Sequence, residues 1–197
     1  MKLNLYKLRN TLRTTLIDLW EYVIPIWKIS GLFKRIKSKR DLANFIQERS
    51  AHVAQTTLYG YLKTRIGVKY IAMMEDEVFL KSINIAKWNI YVVALADCAF
   101  YVFSYLISEK NLKENDCKEI FLNILENEKK NGLNDEIFDR GKKNFLERIN
   151  KVNFLNYHLD DPFKESGQAL YYWSPIADEL KSLDKKIVLN SIHLKWG

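Results

Sequence analysis

Apolar residues return along this chain at helical intervals over most of its length. Leu5, Leu8, Leu12, Leu16, Leu19 and Val23 follow one another at steps of three and four, which lines one face of an α-helix. Trp20 widens that stripe, Lys2, Arg9 and Arg13 lie on its flank, and Pro25 ends it. A second helix is expected to start at Ser38, with Asp41 in the capping-box position, and to run to about Arg65, where Gly67 stops it. Gly60 lies inside it at a propensity cost of up to ~1 kcal/mol. That cost predicts the close approach of another helix there.

The third helix is expected over 77–108, with the acidic run Glu75-Asp76-Glu77 complementing the dipole at its start. Its Trp88–Ile107 window, 20 residues long, is the most hydrophobic in the chain and long enough to cross a bilayer. Asp97 stands at its midpoint, however, and a central carboxylate costs about 2.5–3.5 kcal/mol on membrane insertion. A core helix buried on nearly all sides accounts for the window with fewer assumptions. Asp97 must then be hydrogen-bonded, paired or protonated, and Arg49, Arg65 and Tyr59 are its candidate partners.

Further along, an amphipathic helix is expected over 116–130, closed by Asn131-Gly132, and another after Asn134 as N-cap. An irregular stretch over 153–168 follows. Ser174-Pro175 then reads as an N-cap followed by Pro at the first position of a last helix that repeats Ile176, Leu180, Leu183, Ile187 and Leu194. No strand pattern survives. The expected fold is all-α, a single-domain bundle of five or six helices with a basic amphipathic N-terminal helix, divided into an arm over 1–37 and a helical domain over 38–197.

Charge sharpens this division. Ten of the first forty residues are Lys or Arg and two, Asp18 and Glu21, are acidic, a net +8. The whole chain carries +7, so residues 41–197 sum to −1. Lys34, Arg35, Lys37, Lys39 and Arg40 crowd the end of the basic segment, and Trp20 and Trp27 lie within it. Basic residues mixed with aromatics suit an anionic membrane surface. No secretory signal is evident. Residues 1–16 have the basic, acid-free character of a mitochondrial presequence, but the pattern runs on unbroken into Asp18 and Glu21, so an uncleaved arm is expected. The two cysteines, Cys98 and Cys117, lie outside any CxxC spacing and fit a reducing compartment, with Cys98 expected as a buried, inert thiol.

Motifs for chemistry are few. GxSxG, a P-loop, GxGxxG and HExxH are all absent. His52, His158 and His193 are far apart, and none follows a Glu at the spacing of a di-iron bundle. Glu48 and His52 read as an exposed helical pair, and His158 with Asp160 and Asp161 as a solvated polar loop. No catalytic residue, metal ligand or cofactor is assigned.

Two stretches carry a resemblance. One runs from Arg49-Ser50-Ala51-His52 through Gln55 and Tyr59-Gly60-Tyr61 to Arg65, and leads into Phe79, Ser82-Ile83-Asn84-Ile85 and Trp88. The other is Trp173-Ser174-Pro175-Ile176 with Asp178-Glu179-Leu180 and Asn190-Ser191-Ile192. Together they resemble a group of small, uncharacterised alphaproteobacterial helical proteins, some labelled esterase. That resemblance implies a location in the bacterial cytoplasm, peripheral at the inner membrane, or on the matrix side in a mitochondrial descendant. Leu58-Tyr59 through Arg65, followed by an apolar helix, is similar to the ubiquinol-cytochrome c chaperone family, which implies assembly of a membrane complex.

The expected function is a non-enzymatic helical protein that docks on an anionic lipid surface and binds a membrane protein complex subunit. A small hydrolase and a nucleic-acid binder are the alternatives. The slightly acidic body and the lack of a reading module argue against nucleic acid.

Overall fold

A computed structural model describes residues 36–196. Among them the regular structure is all helical. Seven helices have six residues or more: α1 (Lys39–Ile66), α2 (Glu77–Ser108), α3 (Glu114–Lys130), α4 (Asp135–Ile149), α5 (Lys164–Trp173), α6 (Asp178–Leu183) and α7 (Lys185–Ser191). Single turns fill Gly67–Lys69, Tyr70–Met73, Tyr157–Leu159 and His193–Trp196.

The caps explain where the long helices begin and end. Ser38 Oγ accepts from the Asp41 amide at 3.1 Å, Asp76 Oδ1 from the Phe79 amide at 2.8 Å, and Asn134 Oδ1 from the Ile137 amide at 2.8 Å. Gly67 closes α1 with φ +60°, and its N–H reaches Lys63 O. Gly132 follows α3 with φ +102°, while the Leu133 amide bonds back to Glu128 O at 3.0 Å and its side chain is buried.

α2 is the axis of the fold. α1, α3, α4 and α5 all pack on it, and two-thirds of its apolar window is buried inside the protein. Among the described residues it is the one helix long and apolar enough to cross a membrane, and its burial is that of a core helix. Phe100 on α2 stacks on Phe145 of α4 at 4.8 Å between ring centroids, and Phe145 stacks on Phe121 of α3 at 3.7 Å. Burying each such ring contributes about 1.5–3 kcal/mol. Tyr91 of α2, Gln47 of α1 and Asn131 donate to the buried Glu128 carboxylate, so α1, α2 and α3 share one polar tie.

Three expectations are corrected. Gly60 faces solvent, with nothing within 4 Å of a Cβ placed on it. The close approaches fall at Gly141, where a Cβ would overlap Val92 Cγ1, and at Gly167, where it would lie 2.5 Å from the Leu189 carbonyl oxygen. The irregular stretch is shorter than expected, because α5 already starts at Lys164.

The last helix is also divided. Ser174 does not cap it; its hydroxyl bonds back to Leu170 O at 2.6 Å, and Ala177 precedes α6. The helix then breaks at Asp184. Arg65 Nη2 donates to Leu180 O at 2.9 Å and its Nε pairs with the Asp184 carboxylate, so the Asp184 amide turns to Lys181 O instead. The break rotates the repeat away from the core: Leu180, Leu183 and Ile187 are exposed, and Val188 and Ile192 are buried in their place.

Cys98 is 2% and Cys117 0% exposed, and both are free thiols. Burial pushes each thiol up to about 12, which removes the reactive thiolate at neutral pH. The native protein should therefore resist alkylation by iodoacetamide at both positions, and both should react once urea unfolds it. Prompt labelling of either cysteine in the native state would contradict this burial.

Candidate functional site

Two polar rungs tie α2, α4 and α5 together, and a groove runs between them. At the lower rung the fully buried Asp97 carboxylate of α2 accepts from Arg148 Nη2 of α4 at 2.6 Å. It also accepts from the Ser166 amide and hydroxyl of α5 at 2.8 and 2.6 Å. Arg148 additionally donates to the Tyr157 hydroxyl at 3.0 Å, that hydroxyl donates in turn to Pro162 O at 2.8 Å, and the guanidinium lies over the Phe100 ring. Burial raises the Asp97 carboxyl above its ordinary value, and Arg148 and Ser166 oppose that rise. Burial works against the charge on Arg148 too, but Asp97 and Tyr157 outweigh it and keep the guanidinium protonated.

At the upper rung Arg140 Nη2 of α4 donates to Asn89 Oδ1 of α2, and the guanidinium lies 5.2 Å from the Trp173 ring of α5. The pairs Asn89–Arg140 and Asp97–Arg148 place α2 and α4 side by side in the same direction. Trp173 at the upper rung and Ser166 at the lower one set α5 antiparallel to both. Eight residues of α2 separate the rungs, about 12 Å at the helical rise.

Between the rungs lies a groove of about 580 Å³. Val92, Val93 and Ala96 of α2 form its floor, Ile137 and Gly141 one wall, and Ala169 and Leu189 the other. The two crowded glycines hold these walls close to their neighbours. α7 joins the second wall antiparallel to α5, with Leu189 against Gly167 and Lys185 Nζ 5.9 Å from the Tyr171 ring. Lys185 therefore lies at the level of the upper rung. Lys181 stands one turn away, but Asp178 pairs with it at 2.8 Å and Tyr172 O accepts from it at 3.4 Å. Glu165, the acidic lining residue, lies toward the lower rung.

Asp97 is buried and does not line this groove, although its neighbour Ala96 does, and its partners differ from those expected. Arg49 donates to Lys195 O and Arg65 to Leu180 O. Both arginines lie on α1, whereas the Asp97 carboxylate faces α4 and α5. Lys2, Arg9, Arg13, Trp20, Trp27, Lys34 and Arg35 lie outside the described residues. Lys37, Lys39 and Arg40 are exposed, and Lys39 pairs with Asp116 at 2.9 Å and Glu119 at 3.9 Å. Arg140, Arg148 and Ser166 are not singled out in the sequence, and Trp173 enters there only in a stretch that carries the resemblance. Their signal was faint: two arginines at the edge of the apolar stripe of α4, where long stems snorkel.

The loop after α4 is locked rather than solvated at His158. Ser104 Oγ accepts from the His158 amide at 3.1 Å and lies 2.7 Å from both Phe154 O and His158 Nδ1. Phe154 O can only accept, so the single hydroxyl proton goes there and His158 Nδ1 carries its own. A buried serine committed in this way has no proton for the imidazole to take. Glu48 is exposed, as expected. Among the described residues no group of His, Cys, Asp and Glu is arranged to hold a metal ion. No protein-family model, curated protein or solved structure matches this chain.

Proposed function

We propose that this protein is a non-enzymatic helical module that docks peripherally on an anionic membrane face and there binds or assists the assembly of a membrane protein complex. The observation that carries the reading is the segregation of charge: net +8 in the first forty residues against −1 in the rest. Each basic residue near an anionic surface contributes about 1 kcal/mol, and apolar side chains among them add burial. The body supplies the folded part of such a module, an all-helical unit with a buried central axis and a recessed groove.

The test uses the full chain. Replacing Lys34, Arg35, Lys37 and Arg40 by Gln should reduce co-sedimentation with phosphatidylserine vesicles strongly at low salt and less at high salt, because salt screens surface charge. Trp20→Ala and Trp27→Ala should reduce it at every salt concentration. Pelleting by the Gln variant that matches the unaltered protein at low salt would remove the basis of the docking reading. Duplex DNA added as competitor separates lipid from phosphate binding in general, since displacement by DNA would favour a nucleic-acid role.

A further inference from the structure

The groove has a directional chemistry that the docking reading does not use. Its floor is aliphatic, from Val92, Val93 and Ala96, and Leu189 adds apolar surface to one wall, while Asn144 and Gln168 are polar residues on the walls. Its upper end holds two cations from opposite walls, Arg140 and Lys185, beside Trp173, Tyr171 and the largely exposed Tyr172. The other end carries Glu165, next in sequence to the Ser166 that hydrogen-bonds Asp97. A ligand lying in it therefore meets apolar surface along the floor, uncharged amides on the walls, and positive charge at one end only.

Arg140 is poised for that end. One Nη donates to Asn89 and one face of the guanidinium rests by Trp173, which fixes the plane. Its remaining ion pair, to Glu136 at 3.7 Å, is between exposed side chains one helical turn apart, a contact of little strength that a carboxylate can displace. Lys185 pairs with no carboxylate among the described residues. A fixed guanidinium with a free edge suits bidentate capture of a carboxylate. The rung spacing of about 12 Å suits a medium-length chain behind it.

The geometry points to a binding site for a small amphipathic monoanion, of the medium-chain fatty carboxylate class, with its head between Arg140 and Lys185 and its tail over Val92, Val93 and Ala96. The volume lies within the range of ligand pockets, which are mostly apolar with a few placed polar groups. None of the residues that line the groove falls in the basic segment 1–40, so its occupancy and vesicle docking are probed by different substitutions.

Isothermal titration of the full chain with decanoate, 1-decanol and acetate tests it. Decanoate should bind saturably at one site, acetate should show no binding, and the uncharged alcohol should bind at least about tenfold more weakly than decanoate, the worth of a charge-assisted contact. Arg140→Gln/Lys185→Gln should weaken decanoate by at least the same factor. Val93→Phe, which fills the floor, should abolish binding while circular dichroism shows a folded protein. Lys143→Gln, on the exposed face of α4, should leave affinity unchanged. Decanoate affinity that survives both the charge pair and the Val93→Phe change, as adsorption on the basic arm would, overturns the site. So does the absence of saturable binding to the unaltered protein.

Discussion

Arg148→Met is expected to destabilise the protein by about 3–5 kcal/mol, because it strands the fully buried Asp97 carboxylate without a cation. Ser166 still supplies two hydrogen bonds, but neutral donors do not offset the desolvation of a charge. Asp97→Asn should cost less, since the amide keeps an acceptor for Ser166 and the partly exposed Arg148 can turn toward water. The double variant Asp97→Asn/Arg148→Met should be more stable than the sum of its parts, as expected for groups in direct contact. Urea unfolding of the four proteins measures this. A loss below ~1 kcal/mol for Arg148→Met would mean that the lower rung does not hold the helices together. For a chain of this size, 3–5 kcal/mol corresponds to a fall in Tm of about 10 °C.

Gly167→Ala should lower stability by about 1–3 kcal/mol, although Ala is the better helix former by ~1 kcal/mol. The added Cβ would meet the Leu189 carbonyl oxygen at 2.5 Å. That oxygen is backbone and cannot swing aside, so α5 and α7 must separate. Gly60→Ala is the matched control. It lies in the interior of a helix with open space around it, and should stabilise by up to ~1 kcal/mol. The two glycines thus predict opposite signs for the same substitution, read by thermal melting. Equal effects at the two positions would show that the α5–α7 contact is not close.

These two glycines also show where sequence reasoning ends. An interior glycine announces that something is permitted, but not whether a neighbour is there. At position 60 the residue meets solvent, and at 167 it meets a backbone separated from it by a turn and another helix. The same limit applies to the charged residues. That Asp97 needs a partner follows from its position inside an apolar helix, because desolvation is a property of its own surroundings in the chain. Which cation answers it depends on the direction in which that face of α2 points. The rotation put α4 opposite the carboxylate and left Arg49 and Arg65 of α1 to other carbonyls.

The amino-acid sequence by itself determined the helices, because periodicity and caps act within a few residues: Ser38, Asp76 and Asn134 each start the helix their local chemistry demands. It also determined that α2 would be central, since its window over 88–107 carries a single charged residue, and that charge would concentrate in the first forty residues. Only the tertiary structure decided the break at Asp184, where a guanidinium from α1 takes a carbonyl that the helix would otherwise have used. It alone created the groove, whose floor, walls and cationic end come from α2, α4, α5 and α7. Residues on four separate helices carry no mutual signal along the chain, because what relates them is a distance across the packed helices and not a spacing in sequence.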